Sequence, residues 1–207
     1  VIPKDDIAKV VSAQRRFDTA IAALTDGDVR RASPLPGWTI GHVLAHVARN
    51  ADSHRRRTEA ARRNEVIDQY PGGFEGREAE IEAGAHRTAA ELIEDVHTSA
   101  AEMEAAWWAT PAGAWANVTR DVGGRERPLA ELVLRRWQEL EVHLVDLDIG
   151  ITHRNWPDEF VAEWLPRLRG FFADRPETPA DLDERDELAW LYGRLQRSDL
   201  PVLPSWG

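Results

Sequence analysis

The chain contains no cysteine, and that single absence excludes disulfides, thiolate zinc knuckles and a protein thiol nucleophile. Any sulfur chemistry needs a sulfur supplied from outside. Lysine is confined to Lys4 and Lys9. Positive charge is in deficit altogether: 26 Lys and Arg stand against 36 Asp and Glu, for a net charge of −10 and an isoelectric point near 5.2. Nucleic-acid binders need a basic stripe to displace counterions from phosphates, so nucleic acid is not an expected partner. Long apolar runs are also missing, since none approaches the ~20 residues that span a bilayer. The N-terminal VIPKDDIAKV has neither the basic head nor the apolar stretch of a signal peptide, so a cytoplasmic protein without membrane contact is the expectation.

What is present is helical periodicity. At 207 residues the chain can bury a core without a metal or disulfide staple, so a metal would serve function rather than folding. Ile7, Val10, Val11, Phe17, Ile21 and Leu24 form a stripe that predicts a first helix from about Asp5 to Leu24, closed by the Asp26-Gly27-Asp28 turn. After Pro34, Pro36 and Gly37, a second helix opens at Trp38 or Thr39 and runs to about Asn64, with Ile40, Val43, Leu44 and Val47 inward. Pro71-Gly72-Gly73 marks a loop from which EGREAEIEAG leads into a third helix, Arg87 to Trp108. NVTRDVGGRERP at 117–128 alternates Val118, Arg120 and Val122 before Gly123-Gly124 and reads as a short β-hairpin. Pro128, in a helix N1 position, starts a fourth helix that runs to about Asp148 before Gly150 terminates it, with Leu129, Leu132, Val133, Trp137, Leu140, Leu144 and Leu147 on its inner face. Four long helices predict a four-helix bundle. Helices near Glu159–Phe172 and Glu184–Arg197, a linker with Pro176 and Pro179, and the tail PVLPSWG complete the chain, which has no internal repeat.

Two helical segments carry the candidate chemistry. Glu139 and His143 are four residues apart and project from one helix face, which is metal-ligand spacing, and Asp146 shares that edge while Glu141 points away. His46, on the second helix, would complete three protein ligands and leave an open position, the pattern of a catalytic zinc. A Glu–His hydrogen-bonded pair is the alternative that spacing leaves open. His42 lies one turn from His46, on a face turned away from the Ile40/Val43/Leu44/Val47 stripe; it serves as a surface or supporting residue, and Asp146 could orient or replace a ligand. An isolated HxxxH without a glutamate between its histidines does not make a zinc-protease motif. His54, His86, His97 and His153 read as solvated, the tryptophans as core residues, and Arg55-Arg56-Arg57 as a solvated helix face rather than a phosphate clamp.

GWTIGHVLAHVARNAD at 37–52, YPGGFEGREAEIEAG at 70–84, the GGRERP hairpin, WQELEVHLVDLDIG at 137–150 and the closing WLYGRLQRSDLPVLPSWG at 190–207 occur in an order that resembles the mycothiol-dependent maleylpyruvate isomerase family. That family is a branch of the DinB/YfiT-like superfamily of metal-binding bundles, and the resemblance covers nearly the whole chain. It implies a mainly α fold: residues 1–152 form a DinB-like four-helix bundle with a short hairpin. Residues 153–207 form a shortened C-terminal region, the remnant of the family's αβ mini-domain, since only about 40 residues, from FFADRPETPADLDERDELAW onward, stand where that mini-domain would be. It places the family's zinc ligands on His46, Glu139 and His143 and its functional arginines on Arg77 and Arg194, as anchors for carboxylate or thiol cofactor. Gln138 stands where the family tends to carry arginine.

The resemblance further implies zinc as cofactor and mycothiol as thiol cosubstrate. In the family, the thiol adds to the conjugated double bond of maleylpyruvate, the resulting single bond rotates, and elimination leaves fumarylpyruvate. The implied partners are therefore a small-molecule substrate and a low-molecular-weight thiol; oligomeric state is left open. Three alternatives share the scaffold: a mycothiol S-transferase acting on another electrophile, a non-catalytic metal-binding regulatory bundle, and a hydrolase with His42 or Asp146 as base.

Overall fold

A computed structural model of the chain describes residues 1–174, 178–179, 181–195 and 197–203. The elements are α1 (Lys4–Ile21), α2 (Asp26–Val29), α3 (Ile40–Arg62), α4 (Gly73–Ala85), α5 (Ala89–Trp108), β1 (Val118–Arg120), β2 (Glu126–Pro128), α6 (Leu129–Asp146), α7 (Asp158–Phe171) and α8 (Glu184–Leu191), with short 3₁₀ turns at Ala112–Ala116 and His153–Asn155. The chain divides into two compact units, Val1–Leu147 and Asp148–Gly207. Among the described residues no helix is long and apolar enough to cross a membrane.

In the first unit α1, α3, α5 and α6 form a four-helix bundle, α4 packs on α3, and β1 and β2 form a two-stranded antiparallel hairpin. Its register is Val118↔Pro128, Thr119↔Arg127 and Arg120↔Glu126. The connecting turn closes through Gly124, whose N–H donates to the Asp121 carbonyl at 2.9 Å with φ +83°. Val122 therefore falls in the turn, not in a strand. Pro128 is the last strand residue and the N-cap of α6, one position earlier than expected. At the other end α6 stops at Asp146, two residues short of the expected Asp148, because Asp148 itself enters the left-handed region at φ 50°.

The segment expected to lead into the third helix is a helix of its own. It stops at Ala85, and α5 begins afresh where Thr88 and Glu91 form a reciprocal capping box. The four-residue α2, expected only as a turn, forms in the same way through Thr25 and Asp28. Gly41 governs how closely α4 meets α3, since a Cβ there would lie 2.3 Å from the Ala85 carbonyl oxygen.

The expected stripe of α6 is buried, and so are Ile7, Val10, Phe17 and Ile21 of α1, which packs on α6; Val11 is only partly covered, and α1 ends at Ile21, before the expected Leu24. α3 differs from expectation. It touches α2, α4, α5, α6 and β1, so it is buried on nearly every face, and the side away from its apolar stripe is interior too. His42, Asn50, Ser53, His54, Arg57 and Thr58 are all buried as a result. Arg57 corrects the solvated reading of its run: it donates from Nε to the Ser53 carbonyl at 3.3 Å and from Nη1 to that of Arg120 at 3.4 Å. Burial pushes its guanidinium down to about 10, still charged at neutral pH. Arg136 joins three helices at once, donating to the Val47 carbonyl (2.8 Å), Asn50 Oδ1 (2.9 Å) and Gln14 Oε1 (3.1 Å).

The second unit is held by rings. Phe160 of α7 and Trp156 pack on Tyr192, with centroids 6.4 and 5.7 Å away. α8 ends at Leu191, well short of Arg197, because Gly193 at φ 70° makes a Schellman closure: its N–H meets the Trp190 carbonyl and the Arg194 N–H that of Ala189. His153 is not solvated, since its Nε2 lies 2.9 Å from Asp186 Oδ1. Among its described residues this unit has no strand. Pro176 of the expected linker and residues 204–207 of the expected tail lie outside the described residues.

His54, also expected to be solvated, is 1% exposed, edge-on to Trp107 at 6.2 Å, with no hydrogen-bond partner for Nδ1. Burial, aided by the Arg57 and Arg136 charges, lowers its pKa well below the usual 6.5. The unfolded chain takes up a proton at this ring below pH 6.5 and the folded chain does not, so stability falls as pH falls. Between pH 7 and 5 the wild type should lose about 2 kcal/mol more than His54→Leu in denaturant titrations. Gly41→Ala should destabilise the bundle by about 1–3 kcal/mol, measured the same way, because the Ala85 carbonyl that the new methyl would meet is backbone and cannot rotate aside.

Candidate metal centre

α3 and α6 pack so that His46, Glu139 and His143 meet. His46 Nε2 lies 3.0 Å and His143 Nε2 3.2 Å from the same oxygen, Glu139 Oε2. The two imidazoles are edge to face, with centroids 4.6 Å apart. Both rings are buried while Glu139 is only partly covered, which leaves one side of the cluster open.

The donor chemistry suits a cation. His143 Nδ1 lies 2.9 Å from Asp146 Oδ2, a buried carboxylate that accepts the ring proton. That leaves the Nε2 lone pair directed at the Glu139 carboxylate, and two acceptors at 3.2 Å require a positive charge between them. In the metal-free protein the charge is a proton. Burial acts to lower the His143 pKa, but hydrogen bonds to Asp146 and Glu139 outweigh it and raise it. Burial acts to raise the Glu139 carboxyl, yet hydrogen bonds from His143 and His46 hold it well below the carboxylate range. His46 is pushed down to about 4, chiefly by burial. A neutral imidazole, an ionised carboxylate and a second imidazole whose proton is replaceable form a His₂Glu set that fits zinc and tolerates other divalent metals.

The loop before α3 supplies one wall. Ile40 N–H donates to the Arg31 carbonyl and Ser33 Oγ to that of Asp146 at 2.7 Å, fastening the loop to the end of α6. Trp38 is thereby set 5.6 Å from the His46 ring, and Arg77 of α4 stands 5.8 Å over its indole. Arg77 Nη2 reaches His46 Nδ1 at 3.3 Å. The cluster thus has a guanidinium at its edge, suited to a carboxylate.

The expected site residues are distributed as follows. His46, Glu139, His143, Asp146 and Arg77 come together in the first unit. Arg194 lies in the second, just past α8, where its Nη1 donates to the Tyr192 carbonyl at 2.7 Å. Glu141 points away from the cluster but into the interior, accepting from Trp137 Nε1 at 3.1 Å and from Arg16. Gln138 is buried and accepts from Arg135. Trp38, read as core, lines the cluster instead. His42 is buried and forms a group with Glu82 and His86, which sequence reasoning passed over although Glu82 and His86 have the same four-residue spacing as Glu139 and His143.

Fold and donor set together define a DinB-like four-helix bundle with a metal-type site between α3 and α6. The family model described as the mycothiol maleylpyruvate isomerase N-terminal domain matches residues 10–148. The chain belongs to this family. Its fold is similar to the crystal structure of the mycothiol-dependent maleylpyruvate isomerase, with TM-score 0.88 and 21% identity over 100% of this chain and 98% of that one. A histidine-to-alanine mutant of that isomerase gives 0.87 and 19% over the same shares. No curated protein matches the chain.

Asp146→Ala should weaken zinc binding by about 10- to 100-fold in a chelator competition, because His143 Nδ1 loses the carboxylate that fixes its tautomer.

Proposed function

We propose that the protein is a zinc-dependent isomerase that uses mycothiol to convert maleylpyruvate into fumarylpyruvate. The observation that carries the reading is the convergence of His46, Glu139 and His143 with Arg77 at their edge, in a chain of this family. Family membership supports the thiol and the reaction class, and the donor set supports the metal.

His46, Glu139 and His143 would hold zinc, which would supply the acidification that lets an incoming thiol react as its thiolate at neutral pH. Asp146 keeps the His143 lone pair aimed inward. Arg77 binds a substrate carboxylate bidentately and keeps one end of the molecule still while the other turns about the transiently single bond. Trp38 stiffens that arrangement by covering the guanidinium and excludes water from one side. Arg194 takes the second anchoring role on sequence correspondence alone, and residues 153–207 are read as a reduced form of the family's C-terminal region.

Transfer of mycothiol to another electrophile would use the same residues and stop after the addition step. An ultraviolet assay of zinc-loaded protein with maleylpyruvate and mycothiol, beside glutathione and no-thiol controls, decides between them. Turnover with mycothiol alone is the expected outcome; absent turnover would leave S-transfer, and equal turnover without thiol would overturn both. His46→Ala should lose zinc and activity together. Arg77→Ala should keep zinc but lower kcat/KM roughly 10- to 100-fold, the worth of a charge-assisted contact of about 1.5–3 kcal/mol.

A further inference from the structure

One turn before His46 on α3, His42 meets a second carboxylate–histidine pair. Glu82 of α4 spans two imidazoles, with Oε2 at 3.0 Å from His42 Nε2 and Oε1 at 2.9 Å from His86 Nε2. The two rings stand edge to face at 5.6 Å, and one ligand atom from each of the three residues lies within 4.8 Å of the others. The arrangement repeats the inner cluster: one histidine from α3 joins a glutamate and a histidine four residues later on a packed helix. We propose that His42, Glu82 and His86 form a second binding site for a zinc-class divalent cation, separate from the inner cluster and exchangeable with solvent.

Four features favour a cation there. His42 is held before any ion arrives, being 7% exposed and stacked on Trp38 at 6.2 Å. Its Nδ1 lies 2.8 Å from Thr39 Oγ1, a hydroxyl that accepts the ring proton when Nε2 coordinates. The cost is that the Thr39 N–H, now 3.1 Å from the same nitrogen, gives up its acceptor in the capping box. Glu82 is already ionised, its carboxyl lowered by hydrogen bonds from His86 and then His42. Finally, His86 is the C-cap of α4, so the carbonyl end of that helix adds negative potential.

The differences from the inner cluster set the affinity and the exchange. Side chains of Glu82 and His86 are 66% and 70% exposed, so two of three ligands must be ordered on binding and water reaches the remaining positions. The outer site is therefore the weaker and faster one. Gly41 sits beside it, and the close approach it allows between α3 and Ala85 brings the end of α4 within reach of His42.

The inference does not rest on the proposed catalysis, and its test separates the two. Metal-free protein is titrated with Zn²⁺ by calorimetry, with elemental analysis of the loaded protein as a count. Wild type should take up two equivalents in two steps. His86→Ala and Glu82→Gln, both at exposed positions, should keep the tight step and lose the weak one, while His46→Ala should do the reverse. A single equivalent lost in His86→Ala and retained in His46→Ala would uphold the outer site and sink the zinc assignment of the inner one. A single equivalent lost only in His46→Ala, or a weak step unchanged in both outer variants, would overturn the outer site.

Discussion

A carboxylate inside a helical bundle must be met by positive charge, and the placement of Glu139 between two imidazoles is the constraint around which the first unit is organised. Glu139 gains hydrogen bonds from His46 and His143 that outweigh the cost of partial burial. Asp146 answers the other side of His143 in turn. One turn down the bundle Arg136 is fully buried, and it reaches α1 and α3 through neutral acceptors while its charge falls on Glu139. These groups are coupled through shared partners, so removing Asp146 or His46 leaves a buried charge at Glu139 or His143 less well met.

α3 makes this possible by being slight. Ala45, Ala48, Ala51, Ala60 and Ala61, with Gly41, let neighbours approach from every side. A helix surrounded in this way keeps only a narrow, partly exposed edge, at Asp52, Arg55 and Glu59, and its three histidines lie off that edge in the interior. Close approach by α4 then carries Arg77 to His46 and Glu82 to His42. Two His₂Glu groups one turn apart follow from that geometry, one enclosed and one at the surface. Their chemistry differs through burial more than through composition.

Much of this was legible in the residues. Periodicity marked the long helices to within a few positions, because a stripe such as Leu129, Leu132, Val133 and Trp137 has one low-energy solution. The Gly123-Gly124 pair marked the hairpin, and the spacing of Glu139 and His143 marked a shared face. The helix ends were less legible, since Asp148, a non-glycine residue, turns left-handed two positions before Gly150 does the same, and Thr88 restarted a helix where the apolar pattern ran on. His54, Arg57 and His153 were misread because burial of a polar side chain depends on what packs over it, which local spacing does not encode.

The sequence by itself determined which residue types were available, their faces on each helix, and the exclusion of protein thiol chemistry. Tertiary structure alone decided that α3 would be enclosed, that Trp38 and Arg77 would stand beside His46, and that Glu82 would join His42 to His86. The reason is range: helical faces follow from neighbours three and four residues apart, whereas the contacts of Arg77 with His46 and of Glu82 with His42 join residues 31 and 40 positions apart through the packing of whole helices, and Trp38 is turned onto His46 by a loop fastened to Asp146.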